Sequence, residues 1–288
     1  MRINLIRRKG DKLKGIILGI RKHPWISLGH LVASFSVLWT LIEALTYFIP
    51  TLEFEGVPYL LVIVVIAIVY SACKIRRPSS VTFSIAHTNT KLQIKFGDLF
   101  DEDGVKSIAV NDFFDSELGL PVSKRSLHGM FLSRCFGGHP DSFDKIVSDA
   151  LVDVPSKPVD REQGKKAKYP IGTTASVLVN SERYLCFALS RTDTKTLKAE
   201  SDVPTLWKAL EGLYGKSRNS LGGAPLVLPL VGSGLSGIGL PDNNLLDLIV
   251  LSIIEESKKK RITELIKIVL KPDRFDKVDL AEVNKYWR

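Results

Sequence analysis

Thirteen residues near the end of the chain, Pro229-Leu-Val-Gly-Ser-Gly-Leu-Ser-Gly-Ile-Gly-Leu-Pro241, have the composition of a ligand-holding loop. Gly232, Gly234, Gly237 and Gly239 let the backbone adopt positive φ and approach a ligand closely. Successive N–H groups can then converge on a pyrophosphate, aided by the partial positive charge of a following helix. The spacing matches neither the Walker pattern, since no Gly-Lys-Ser/Thr follows, nor GxGxxG in an N-terminal βαβ unit. Gly232-Ser233-Gly234 also lacks the GxSxG frame of a serine hydrolase. The alternative at this point is a glycine-rich turn that only tightens a strand–helix junction.

The elements that must position this loop follow from the apolar pattern. Leu226–Val231 reads as a buried strand entering it, and Leu245–Lys258 as a helix leaving it. Upstream, Val81–Ala86, Leu92–Phe96 and Ser107–Asn111 read as strands, with Ala175–Val179 and Tyr184–Ser190 pairing around Asn180-Ser-Glu182. Lys124–Cys135, Phe143–Val154 and Pro204–Tyr214 read as helices. A strand, Ile262–Leu270, and a helix, Val278–Tyr286, close the chain. Pro155–Lys168 is polar, charged and proline-bearing, so it is expected to be an exposed loop. The sum is a mixed α/β domain over 79–288.

The N-terminal quarter obeys different rules. Trp25–Ile49 and Val57–Cys73 are apolar runs long enough to cross a bilayer, the first interrupted only by His30 and Glu43. The turn between them, Pro50-Thr-Leu-Glu-Phe-Glu-Gly56, is acidic. The flanks are basic: Arg2, Arg7, Arg8, Lys9, Lys12, Lys14, Arg21 and Lys22 before, Lys74, Arg76 and Arg77 after. The positive-inside rule makes this a two-helix transmembrane hairpin (25–77) with both termini cytoplasmic, behind a basic tail (1–24). The tail is either an amphipathic helix on the inner leaflet or a solvated segment that fixes topology. Glu43 is read as facing a partner subunit or as snorkelling to the outer interface. Arg76-Arg77-Pro78-Ser79-Ser80 links the hairpin to the domain.

The charge follows the same division. Eleven basic residues stand against 4 acidic up to Pro78, and 29 against 27 after it. The basic balance therefore belongs to the membrane flanks, and the near-neutral domain argues against a nucleic-acid partner. Cys73, Cys135 and Cys186 form no CxxC and read as reduced thiols, not as a disulfide frame or zinc site. No metal ligands, cofactor or catalytic residues are expected.

Several stretches in order carry a family resemblance: Gly97-Asp98-Leu99 after a strand, a strand ending in Val110-Asn111, and Ser126-Leu127-His128-Gly129-Met130-Phe131 opening a helix. Tyr169-Pro170-Ile171-Gly172-Thr173-Thr174 and the loop Pro229–Pro241 complete the set. Together, across 81–288, they resemble a macro domain. Two membrane helices ahead of it further resemble the membrane effectors of bacterial type II Thoeris anti-phage systems.

The resemblance implies a fold, a ligand and a set of roles. The fold is α/β, a macro-domain-like mixed sheet flanked by helices. The ligand is an ADP-ribose derivative, histidine–ADP-ribose, a nucleotide-derived messenger made by a TIR-domain partner. Its binding would drive homo-oligomerisation and disruption of the lipid bilayer at the bacterial inner membrane, as abortive infection. Asp98 would accept the adenine amino group as a buried carboxylate, and Leu99 would contact the ring. Ser126, Leu127, His128, Gly129 and the loop Gly232, Ser233, Gly234, Leu235, Ser236, Gly237, Ile238 would clamp the phosphates through N–H groups and the Ser233 and Ser236 hydroxyls. Asn111 would meet the distal ribose. Against these stand simpler roles: Asp98 capping a turn, Asn111 ending a strand, His128 at the surface. The hydrolytic members' Asn-Ala-Ala-Asn run is replaced by Asn111-Asp112-Phe113-Phe114-Asp115, and their triple glycine is missing. Binding without turnover is therefore the implied activity, with a membrane-tethered ADP-ribosyl hydrolase and a non-lytic scaffold as the alternatives.

Overall fold

A computed structural model describes residues 13, 15–49, 51, 56–234 and 237–287. The expected basic residues Arg2 to Lys12 and Lys14, most of the acidic turn, and Leu235 and Ser236 lie outside the described residues. The chain forms two compact units, one of residues 1–79 with Asp279–Val283, the other of Ser80–Val278 with Asn284–Arg288.

In the first unit residues 15–22 are helical (α1), followed by α2 (Pro24–Phe48) and α3 (Val57–Ile75). At 1.5 Å per residue α2 and α3 are about 37 and 28 Å long, and both are apolar enough to cross a membrane. They pack through a narrow stripe on α3, Ile63, Ala67 and Ser71, spaced by four so that they share one face. Ser71 Oγ donates to Ser27 O at 3.0 Å and Ser34 Oγ to Ala67 O at 3.4 Å. Small residues and hydroxyl bonds are what let helices approach where no water drives them together. Most of the other apolar side chains face outward, Trp25 being 82% exposed and Val62 56%. Glu43 is exposed as well.

The second unit is built on a mixed sheet in the order β1-β2-β10-β9-β3-β7-β6, with β8 (Ala199–Glu200) pairing β7. Its strands are β1 (Ser80–Ser84), β2 (Lys91–Phe96), β3 (Val105–Asn111), β6 (Thr174–Val179), β7 (Glu182–Thr192), β9 (Leu226–Pro229) and β10 (Leu265–Leu270). β2, β10, β9, β3 and β7 run parallel, while β1 and β6 are antiparallel edges. A parallel strand covered on both faces reads as a continuous apolar run, and Tyr184–Ser190 of β7 is buried at every position.

Alternation divides the core. Ile108 and Val110 of β3 with Tyr184, Cys186 and Ala188 of β7 face Phe131, Leu132, Phe143 and Val147 of α4 (Leu127–Phe136) and α5 (Pro140–Ala150). The intervening residues, Leu185, Phe187 and Leu189, belong to the other face. There α6 (Val203–Ser220) crosses β7 and packs on α7 (Asp242–Lys259). α6 begins where Asp202 accepts the Thr205 N–H at 2.8 Å, and it buries Leu206, Ala209, Leu210, Leu213 and Tyr214 at helical spacing. Gly212 lies so close to Gly172 that a methyl on it would collide with the Gly172 backbone, and a methyl on Gly172 would meet the Lys208 carbonyl of α6. The chain closes with α8 (Leu280–Trp287).

One expectation is corrected. Residues 155–168 are not simply an exposed loop: β4 (Lys157–Pro158) pairs with β5 (Ala167–Lys168), and the side chain of Arg161 between them is fully buried. Polar composition signalled exposure, but a long-range carboxylate draws this arginine inward.

Candidate functional site

All five parallel strands end on one edge of the sheet, where ligands of open α/β sheets bind. Gly97-Asp98 follows β2, Arg274 and Lys277 follow β10, the glycine loop follows β9 and Asn111 ends β3. From β2 to β3 is three strand spacings, about 14 Å, a span suited to an extended dinucleotide-like molecule.

The glycine loop borders a cleft of about 460 Å³ lined by Gly232, Ser233, Gly234, Gly237, Gly239, Pro241, Asp242, Arg274 and Lys277. Gly232 has φ +83°, and a Cβ there would lie 2.7 Å from Ile238 Cδ1, so the turn admits only glycine without rearrangement. Ile238 N–H closes it by donating to Gly232 O at 3.0 Å. The Ser233 hydroxyl differs from its expected role: it donates to Leu230 O at 2.7 Å, leaving only lone pairs for other partners. Leu235 and Ser236 lie outside the described residues. Arg274 donates to both oxygens of Asp242, at 2.9 and 2.7 Å, so its charge is half spent. Lys277 has no carboxylate partner among the described residues and is the cleft's uncommitted cation. Neither basic residue was singled out in the sequence, where Lys271-Pro-Asp-Arg-Phe-Asp-Lys277 looks like an ordinary charged turn.

Asp98 is not buried: its side chain is 41% exposed. It caps the short 3₁₀ turn Leu99–Asp101, accepting the Phe100 N–H at 3.1 Å, and takes Arg134 Nη2 at 3.2 Å. The Arg134 guanidinium also lies 4.6 Å from the Phe100 ring centre. Leu99 is buried in the core cluster, so its side chain is not available to stack on a base.

Ser126 is the N-cap of α4, accepting the Gly129 N–H at 2.9 Å and donating to Ser123 O at 2.7 Å. Gly129 sits against the Ser123 carbonyl, where any Cβ would collide. With Gly129 N–H taken, the N–H groups of Leu127 and His128 are the ones this helix end offers an anion. The Leu127 side chain packs on the core. His128 is 5% exposed, not a surface residue, and lies 5.7 Å from the Phe143 ring. Its Nε2 has no hydrogen-bond partner among the described residues. Burial, with a smaller effect from the Lys165 charge, holds its pKa down at about 3.

The Asn111–Asp115 run folds into a locked turn. A register shift between Val110 and Asn111 lets Asn111 leave the ladder. Its Oδ1 accepts the N–H groups of Phe113 (3.3 Å) and Asp115 (3.0 Å), and its Nδ2 donates to Asp115 Oδ2 at 2.8 Å. The amide expected at the distal ribose is thus largely committed to the turn. Phe114 sits at φ +52° with its ring buried edge-on to Tyr169. Asp112 accepts the Thr192 N–H at 3.0 Å and faces Lys168 Nζ at 3.4 Å; burial pushes its pKa up. Asp115 Oδ1 binds Arg161 Nη2 and the Lys165 N–H.

One group among the described residues has metal-ligand chemistry, His23, Asp279 and Glu282 of the first unit, with ligand atoms within 4.8 Å. Lys22 already pairs with both acids, at 3.5 and 2.9 Å, and Arg77 pairs with Asp279 at 3.1 Å, so their charge is neutralised without an ion.

The model of the family described as Thoeris protein ThsA, macro domain, matches residues 92–271, more than half of the chain. The chain belongs to this family. The matched span runs from β2 through β10 and so contains the glycine loop, the α4 N-terminus and the Asn111–Asp115 turn. No curated protein matches the chain. Similar solved structures include a macrodomain of Oceanobacillus iheyensis. One mutant of it, with ADPR, is 17% identical, with a TM-score of 0.49, covering 72% of this chain and 98% of that one. The same macrodomain with ADP is 15% identical at 0.46, covering 72% and 95%. A second mutant is 15% identical at 0.48, covering 73% and 97%. The family assignment stands on the match over 92–271, and the mixed sheet flanked by helices is the macro-domain architecture.

Proposed function

We propose that this protein is a membrane-anchored receptor whose macro domain binds an ADP-ribose derivative and relays its presence to the bilayer. One observation carries the reading: two helices able to cross a membrane precede, on the same chain, a ThsA macro domain with a glycine-loop cleft at its strand ends. The ligand is histidine–ADP-ribose from a TIR-domain partner. Its diphosphate lies at the glycine loop and the α4 N-terminus, its adenine toward Asp98, and its distal ribose toward the turn after β3. Occupancy favours a self-associating state, and the clustered hairpins disrupt the bacterial inner membrane, arresting or killing the cell. The ligand does this only through its differential affinity for the two states, sharpened by avidity among subunits.

Binding without turnover is favoured by the state of the Asn111–Asp115 turn. A hydrolase needs a base free to take a proton from water, and here Asn111 and Asp115 spend their polar atoms on each other, on backbone N–H groups and on Arg161, while the buried Asp112 holds the Thr192 N–H and faces Lys168 Nζ. Calorimetry of the full chain in detergent micelles against ADP-ribose and histidine–ADP-ribose tests the reading. Tighter binding of the adduct, weakened about tenfold by Asp98→Ala, is the expected result. Equal or absent binding of both ligands removes the receptor assignment. Release of free ADP-ribose from an ADP-ribosylated substrate, lost in Asn111→Ala, would replace it with the hydrolase.

A further inference from the structure

The turn after β3 carries a charge that the binding scheme leaves unused. The Arg161 side chain is fully buried, yet among the described residues only its Nη2 is engaged, on Asp115, and Nε and Nη1 have no hydrogen-bond partner. A guanidinium carries five N–H donors, and leaving several of them buried without acceptors is costly. The group is nonetheless held firmly. Its carbon lies 3.9 Å from the centre of the Phe113 ring, and Gly164, at φ +81°, leaves no room for a Cβ between it and Asp115. Asp115 is in turn fixed by Asn111 Nδ2 and the Lys165 N–H. Lys168 Nζ approaches the same Phe113 ring at 5.6 Å. A planar donor pre-set in this way, with acceptors missing on one side, is matched by a carboxylate.

Position supplies the second half of the argument. β3 is the neighbour of β9, so the Asn111–Asp115 turn stands beside the glycine loop. A diphosphate on that loop with adenine toward β2 directs the distal ribose to β3, and Phe113 and Arg161 lie just beyond Asn111. We propose that Arg161 is the receptor for a carboxylate carried on the group attached to the distal ribose, as in an amino-acid adduct of ADP-ribose. The proposal rests on the binding reading above and adds its specificity: Arg161 separates a carboxylate-bearing adduct from plain ADP-ribose. Access comes by opening the segment between β4 and β5, which carries Arg161 itself and is held by a ladder of only two residue pairs, and by reclosing it over the ligand. Once the segment has reclosed, the carboxylate takes the Nε and Nη1 donors and Asp115 takes Nη2 again.

The test compares three compounds on the full chain in detergent micelles: ADP-ribose, histidine–ADP-ribose, and histamine–ADP-ribose, which is the histidine adduct without its carboxylate. Loss of the carboxylate is expected to weaken binding about tenfold or more. In Arg161→Gln the two adducts are expected to bind alike, at the level of the histamine adduct. Where Arg161→Gln does not fold, Arg161→Lys takes its place and is expected to narrow the difference between the two adducts, whereas an undiminished difference overturns the assignment to Arg161. Equal affinity for both adducts, each tighter than ADP-ribose, overturns the carboxylate site and leaves the receptor reading standing. Absence of binding by all three compounds overturns the receptor reading and the carboxylate site with it.

Discussion

Acidification from pH 7.5 to 5.5 probes the packing of α4 through one side chain, His128. In the unfolded chain this histidine titrates near 6.5; in the fold, burial beside Phe143 holds it at about 3. A folded pKa below the unfolded one means that the unfolded chain binds the extra proton between those values. Stability is therefore complete above pH 6.5 and declines as pH falls below it. Between pH 7.5 and 5.5 the unfolded histidine goes from about one-tenth to about nine-tenths protonated while the folded one stays neutral. That difference amounts to about 1.4 kcal/mol of lost stability. Asp112 works in the opposite sense: its raised pKa adds stability as pH falls through its own window above the ordinary carboxylate value. A comparison with His128→Phe removes that contribution, since both proteins retain Asp112. The substitution also eliminates the unpartnered Nε2, so at pH 7.5 the variant is expected to be at least as stable as the parent. The assay is urea unfolding of the full chain in detergent, read by pulse proteolysis at the two pH values. The parent should lose about 1.4 kcal/mol more than the variant on acidification. Equal losses would refute the reasoning, because they would mean that His128 takes up a proton within the fold.

Other substitutions test separate parts of the structure. Gly164→Ala places a methyl against Arg161 and Asp115 at positive φ, and should lower stability by about 2 kcal/mol or more in the same assay. Lys277→Ala removes the uncommitted cation of the glycine-loop cleft. It should weaken ADP-ribose binding about three- to tenfold in calorimetry at low ionic strength, with a smaller effect at high salt. Ala67→Leu fills the fully buried point of contact between α2 and α3. Engineered cysteine pairs across the two helices should then crosslink more slowly in membranes, with unchanged amounts of protein inserted.

The residues show what each level of description contained. The hairpin was legible because length and hydropathy are local properties: α2 and α3 begin and end within two residues of the apolar runs. The glycine loop was legible because its turn needs residue types visible in the sequence, Gly232 above all. The helices of the second unit are legible in the sequence, but most of their ends are not. α6 runs on to Ser220 because Ser217 and Arg218 have partners in its own backbone and on α7, where Arg218 meets Glu256 at 3.0 Å.

The strand and helix content, the two apolar spans and the family's ordered motifs were thus set by local sequence, through periodicity, turn chemistry and hydropathy. The state of the site's side chains was decided only by the tertiary fold. Asp98 came out partly exposed and capping a turn, Ser233 turned to the Leu230 carbonyl, and His128 moved inside against Phe143. Arg161, 46 residues beyond Asp115, became a buried arginine in a segment whose composition indicated solvent. No local pattern announces such a pair, because a buried charge is determined by the partner that packing brings to it and not by its neighbours along the chain.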